Sequence, residues 1–279
     1  LVQTVKNLYI PSGEHLAEET WTNVSFSKDN LTSKIIIKNF NNYLTELVDK
    51  EYQIYLAYES ECISKGVIEL SLKPDIKEQY PYVYGLIEKT ISIFDNKLLS
   101  NIKKLSQIGS QLRPFYKLVE QSFSQGRMSR AGGSSQYHLK KLLELAGYKG
   151  EFQEQQILNG TVDFLFPSKE IWDKDKRKCV IVSMKRTLRE RYKQIFEELK
   201  ITGGITIYLL VTETIEESKR DITSQKVDKL NSQNVYLVVR DEIKTSRFPQ
   251  KSNVISFTSF IQEELPNKRT QWSSLYRKK

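Results

Sequence analysis

Cysteine and histidine are nearly absent from this chain. Its 279 residues hold two of each: Cys62 and Cys179, His15 and His138. Two cysteines cannot build a disulfide framework. So few sulfur and imidazole groups exclude a structural zinc site, and a resident metal would have to be a hard cation held by oxygen. Long apolar runs are missing as well. Stretches such as Val235–Val239 fall far short of the roughly 20 residues that a membrane span needs, and mean hydropathy is −0.49. Residues Leu1–Lys6 lack the layout of a signal peptide, so a soluble intracellular protein is expected. No Gly-Lys-Ser/Thr follows Gly203-Gly204, which reads as a turn and not as a phosphate loop.

Arginine is missing from the whole first part. Residues 1–110 carry 12 lysines, no arginine and 14 acids, a net charge of −2. Residues 111–279 carry the other 31 basic residues, all 12 arginines among them, against 20 acids, a net charge of +11. Arginine suits bidentate contacts with phosphates and guanine edges. Its confinement to one part of the chain points to an anionic partner. Nucleic acid leads over a membrane surface, because no long basic amphipathic helix stands out.

What is present falls into two regions. Apolar spacing of helical period over 35–47 and 83–108 predicts a helical subdomain in residues 1–110. Residues 111–279 alternate helices and strands, which predicts an α/β domain with a mixed central sheet flanked by helices. Ser134 and Ser135 are expected to cap a helix with Leu139, Leu142, Leu143 and Ala146 inward, ended by Gly147 and Gly150. Two extended runs, 152–157 and 161–166, flank Asn159-Gly160, a strong hairpin signal. A strand over 179–184 reads as buried on both faces. A helix over 187–200, a strand over 205–212, a polar helix over 215–230, a strand over 235–239 and a short helix over 257–264 follow. The basic tail after Glu264 reads as an arm. Trp21, Trp172 and Trp272 are expected in the core, and His138 partly buried on its helix.

Chemistry concentrates between positions 160 and 200. Asp163 lies in the hairpin, Ser183-Met184-Lys185 closes the next strand, and Glu197 and Glu198 sit on the helix after it. A carboxylate can hold a divalent cation that polarises a phosphate and lowers the pKa of a bound water. A nearby ammonium can orient that water and stabilise developing charge. Arg127, Arg130 and Arg186 are candidate phosphate contacts.

The runs Gly160-Thr-Val-Asp163-Phe-Leu-Phe166 and Val180-Ile-Val-Ser183-Met-Lys185-Arg-Thr-Leu-Arg189-Glu190-Arg191, with Ser129-Arg130-Ala-Gly-Gly-Ser-Ser135, resemble type II restriction endonucleases of the PD-(D/E)XK superfamily. The resemblance covers roughly residues 127–200 and is closest to the branch reading CCGG or CCNGG sites. In that branch a serine replaces the second carboxylate of the motif, as Ser183 does here. An acid on the following helix takes over its role; Glu198 matches it, with Glu197 the adjacent alternative. The resemblance therefore implies Asp163, Lys185, Glu198 and Ser183 as catalytic residues, with Mg²⁺ on Asp163 and Glu198. Two positions depart from the pattern. Val162 precedes Asp163 where proline is usual. Gln136 stands on the first helix where relatives often carry Glu, and it bears no charge; Glu144 is a spare acid on the same helix.

Arg189-Glu190-Arg191 matches the branch's recognition triplet. The chemistry agrees: arginine donates two hydrogen bonds to guanine O6 and N7, and glutamate accepts from the cytosine N4 amino group. The uninterrupted triplet favours a CCNGG over a CCGG core. A palindromic double-stranded DNA target implies a homodimer or higher homo-oligomer. A repair or junction nuclease of the superfamily and a DNA-binding protein without catalysis are the competing readings.

Overall fold

The computed structural model describes residues 9–66, 74–155, 162–188 and 205–276. The chain divides into two compact units, Leu1–Leu16 with Tyr52–Arg130, and Ala17–Glu51 with Ala131–Lys279. A boundary near 110 was expected; the packing divides the chain differently. Trp21, Ile36, Phe40, Leu44 and Leu47 join one core with Leu139, Leu142 and Leu143. Charge and helical period alone do not tell which core a helix enters.

The first unit is helical. Its core gathers Ile10, Leu16, Tyr55, Cys62, Leu86, Phe115, Val119 and Phe123. Helix Pro81–Asp95 starts with proline, whose missing N–H costs nothing in a first turn. Helix Asn101–Leu143 carries Pro114 in its interior and continues through Ser134 and Ser135. Those two serines therefore do not cap a helix start. Ser134 turns its hydroxyl to Glu51 Oε1 instead. The helix does close as expected: Gly147 takes a positive φ of 96° in the final turn, Glu144–Tyr148, and Gly150 follows with φ 80°.

The second unit holds a six-stranded sheet in the order β1-β2-β3-β4-β5-β6. β1 is Gln153–Glu154, β2 Phe164–Phe166, β3 Val180–Lys185, β4 Ile207–Val211, β5 Val235–Val239 and β6 Val254–Ser256. β1, β2 and β3 pair antiparallel, with Gln153 opposite Leu165 and Phe164 opposite Val182. β3 to β6 run parallel. The expected hairpin is present as this β1–β2 pairing, while its Asn159-Gly160 turn lies outside the described residues. Parallel strands are covered on both faces, and β3 shows it: Val180, Val182 and Met184 enter one core, Ile181 the other. Ser183 and Lys185 follow Ile181 at the period of two.

Three expectations change. The polar helix is two helices, Ile215–Asp221 and Ser224–Asn231, because Thr223 caps the second. β6 and helix Asp241–Arg247 were not foreseen; β6 is only three residues long. The tail is no arm. Leu265–Tyr276 is a helix with Leu265 and Trp272 fully buried. Arg269 pairs with Glu151, and Trp272 Nε1 donates to Glu151 Oε2 at 3.1 Å. Leu265 and Trp272 are two turns apart, so they share one helix face; a count of charges does not register that. Trp21 and Trp172 are buried as expected. Among the described residues no helix is long and apolar enough to cross a membrane.

Candidate active site

The antiparallel register of β2 and β3 sets the first contact. Phe164 faces Val182, so the next pair outward brings Asp163 beside Ser183. Asp163 is buried and its carboxylate is crowded with donors. Oδ2 accepts from the Met184 N–H at 2.7 Å and from Lys185 Nζ at 3.1 Å. Oδ1 accepts from Lys185 Nζ at 3.3 Å and from Gln136 Nε2. A buried ion pair is tolerated when further hydrogen bonds satisfy its remaining atoms, and Met184 and Gln136 supply them. Ser183 Oγ is buried with no hydrogen-bond partner among the described residues. Such an atom calls for an explanation, since an unsatisfied buried hydroxyl is costly.

Gln136 thus answers the question left open on the first helix. Gln136 touches Asp163, whereas Glu144 stands eight residues further on in the closing turn. His138 is more deeply placed than expected. It is fully buried, with Nε2 2.5 Å from Glu51 Oε2, and Ser134 holds the other oxygen of that acid. Helix Phe40–Glu61 is thereby tied to the helix bearing Gln136.

The segment leaving Lys185 is held from the end of β4. Thr212 N–H donates to Lys185 O at 3.2 Å. Leu188 N–H donates to Glu213 Oε1 at 2.6 Å. Arg186, expected at a phosphate, donates to Glu217 Oε1 at 3.2 Å. The other Glu217 oxygen accepts from Thr214 N–H at 2.9 Å, closing a capping box. Arg240 donates to Thr212 O through Nε and Nη2 at 3.1 and 2.8 Å and also pairs with Asp49. Sequence reasoning passed over Glu213. The available signal was an acid immediately after the apolar run 205–212, at the C-terminal end of a parallel strand, where α/β sheets place their sites.

Burial pushes the Glu213 carboxyl up to about 7 from an ordinary 4.5, with the Leu188 N–H acting against it and Asp221 and Glu217 reinforcing it. The folded protein therefore holds a proton that the unfolded chain has released between these two values. Stability linked to this group is fully present below pH 4.5 and falls as pH rises toward 7. Glu213→Gln, which cannot ionise, is expected to melt like the parent near pH 5 and higher than it at pH 8. The difference is on the order of 3 kcal/mol. Thermal melts across this range check it; a gap that does not grow with pH refutes the assignment.

Arg189, Glu190, Arg191, Glu197 and Glu198 lie outside the described residues. Arg127 and Arg130 belong to helix Asn101–Leu143. Among the described residues no group of three or more His, Cys, Asp or Glu is placed to hold a metal ion.

A carboxylate and an ammonium locked together where the antiparallel part of a mixed sheet meets its parallel part define a restriction-endonuclease-like core. Comparison with known proteins agrees. The family model described as EcoRII C terminal matches residues 92–261. That is more than half of the chain, which belongs to this family of type II restriction endonucleases. The type II restriction enzyme SsoII of Shigella sonnei is 24% identical over 269 residues, spanning 93% of this chain and 78% of the relative. Among solved structures, metal-depleted Ecl18kI in complex with uncleaved, modified DNA superposes with a TM-score of 0.75 at 19% identity, over 96% of this chain and 83% of the other. The PspGI–substrate DNA complex superposes with a TM-score of 0.55 at 18% identity, over 94% of each chain. At these identities the likeness to solved structures is one of fold.

Proposed function

We propose that this chain is a Mg²⁺-dependent type II restriction endonuclease, hydrolysing double-stranded DNA at a palindromic site with a CCNGG-type core, or failing that CCGG. The observation that carries the reading is Lys185 held on Asp163, with Leu188 anchored directly before Arg189-Glu190-Arg191. Two groups there suit a hard cation: the Asp163 carboxylate and the Ser183 hydroxyl, which has no partner among the described residues. Asp163 and Glu198 would hold the ion, with Glu197 as the neighbouring alternative. When bound, it supplies polarisation of the phosphate and a water of lowered pKa. Lys185 orients the attacking water and stabilises charge on the phosphate, leaving a 5′-phosphate product. Arg189 and Arg191 read guanine, Glu190 reads cytosine, and Arg130 contacts a phosphate.

Cutting both strands of a palindrome calls for two copies of the site, so the active form is a homodimer or a higher homo-oligomer. In keeping with a second copy, the helical unit leaves Phe94, Leu98, Ile102 and Leu105 exposed. A bacterial or archaeal cytoplasm is the setting such an enzyme implies.

Incubation of plasmid DNA with the protein and Mg²⁺ tests the reading. Discrete fragments whose mapped ends share a CC…GG core support it; intact plasmid across salt and pH overturns it. The uncharged Gln136 favours one second reading, a DNA-binding protein without catalysis, and intact but specifically bound DNA is its signature. Glu190→Ala is expected to relax the choice of base at one C·G pair by about 10- to 100-fold, the worth of a direct base contact. Sequencing of the cut ends reads this out, and an unchanged set of sites refutes the recognition role.

A further inference from the structure

Two adjacent residues at the end of β4 grip both ends of the short link between Lys185 and Arg189. Thr212 N–H holds Lys185 O at 3.2 Å. Glu213 Oε1 holds Leu188 N–H at 2.6 Å. Between them Glu217 holds Arg186. Thr212 is itself pinned by Arg240, whose guanidinium donates twice to its carbonyl. Nothing in these contacts is needed merely to attach the link to the protein. Leu188 is already buried in the core beside Ile181, Leu209 and Val211. An apolar residue at 213 would avoid the cost of burying a carboxylate.

Burying an acid that must be kept protonated or poorly solvated is unfavourable, and its second oxygen has no partner among the described residues. A side chain that works against stability while making one directional hydrogen bond is the pattern of a functional position. What that bond controls is orientation. It fixes the plane of the peptide joining residues 187 and 188, one position before Arg189 in the sequence.

We infer that Glu213 is a positioning residue for base recognition: by accepting the Leu188 N–H it fixes the last peptide before the proposed base-reading residues 189–191, while Thr212 holds Lys185. The inference rests on the proposed base-reading role of residues 189–191. It makes the strand end at 212–213 the part that lets correct reading and cutting occur in one geometry. A site held loosely by its surroundings loses activity and selectivity even when its own residues are intact.

The test is discrimination. Cleavage of the cognate site is compared with cleavage of sites differing by one base pair, using full-length protein and Mg²⁺. Glu213→Leu removes the acceptor and is expected to lower the ratio of cognate to altered-site kcat/KM about tenfold, the equivalent of one buried hydrogen bond. Glu213→Gln keeps an acceptor oxygen and is expected to restore the ratio to within about threefold of the parent. A purely structural role would lower the melting temperature and slow all sites alike, leaving the ratio unchanged; that outcome overturns the inference. Should Glu213→Leu fail to fold, Glu213→Asp withdraws the acceptor from Leu188 while keeping a carboxyl group, and the same ratio decides. Glu190→Ala run in parallel separates the two ideas. If it alters the cut sites while the Glu213 ratio stays constant, only the positioning role falls. If Glu190→Ala leaves the sites unchanged, base reading falls and the inference with it.

Discussion

On the proposed mechanism, Lys185→Ala is expected to lower cutting by about 10³-fold or more while the folded protein still binds its site. Among the described residues the lysine is the one ammonium on the Asp163 carboxylate, donating to both of its oxygens. When it is removed, Asp163 still accepts from Met184 N–H and Gln136 Nε2. The carboxylate keeps those two hydrogen bonds after losing its counter-ion, so the loss of stability is smaller than when Asp163 itself is removed. The rate falls because no described side chain replaces an ammonium beside the water and the phosphate. Gel-shift titration on a cognate duplex without metal, set beside plasmid digestion with Mg²⁺, separates the two effects. Residual cutting at the parent rate removes Lys185 from the mechanism. Loss of binding together with cutting makes it a structural residue.

Asp163→Ala is expected to damage both fold and activity. The substitution leaves the Lys185 side chain buried, only 7% exposed, with its partner gone. It also strips the acceptor from the Met184 N–H and the Gln136 amide. Removing one member of a buried ion pair typically costs about 3–5 kcal/mol, more than the pair itself contributes, because an uncompensated charge stays behind. Urea denaturation measures the loss. The double variant Asp163→Ala with Lys185→Met is expected to recover most of that stability while remaining inactive. If Asp163→Ala alone is as stable as the parent, the pair is not the buried anchor described above. The asymmetry between the two single variants, one milder for stability and one severe, follows from who keeps partners after the change.

That Asp163, Ser183 and Lys185 come together was legible before any coordinates. The signals are local: period-two apolar runs mark the strands, Asn159-Gly160 marks the reversal, and an antiparallel pairing then places residue 163 near residue 183. The doubly buried β3 was legible for the same reason, since an uninterrupted Val-Ile-Val run suits a strand covered on both sides. Gln136 was noticed as a departure from the family pattern, yet spacing along a helix could not choose between it and Glu144. Glu213 gave no pattern at all. One acid after an apolar strand is ordinary, and its meaning depends on Leu188 reaching it from another segment.

By itself, then, the sequence determined the alternation of strands and helices and the approach of residues 163 and 183 on paired strands, because each depends on neighbours within a few positions. Only the tertiary structure decided that residues 17–51 complete the core of the unit that holds the sheet. Only it showed that the basic tail is a packed helix, and that Gln136 meets Asp163 while Glu213 meets Leu188. Those outcomes are contacts between residues far apart in the chain. They are set by which helix and strand faces bury together, a property of the whole packing that no local period encodes.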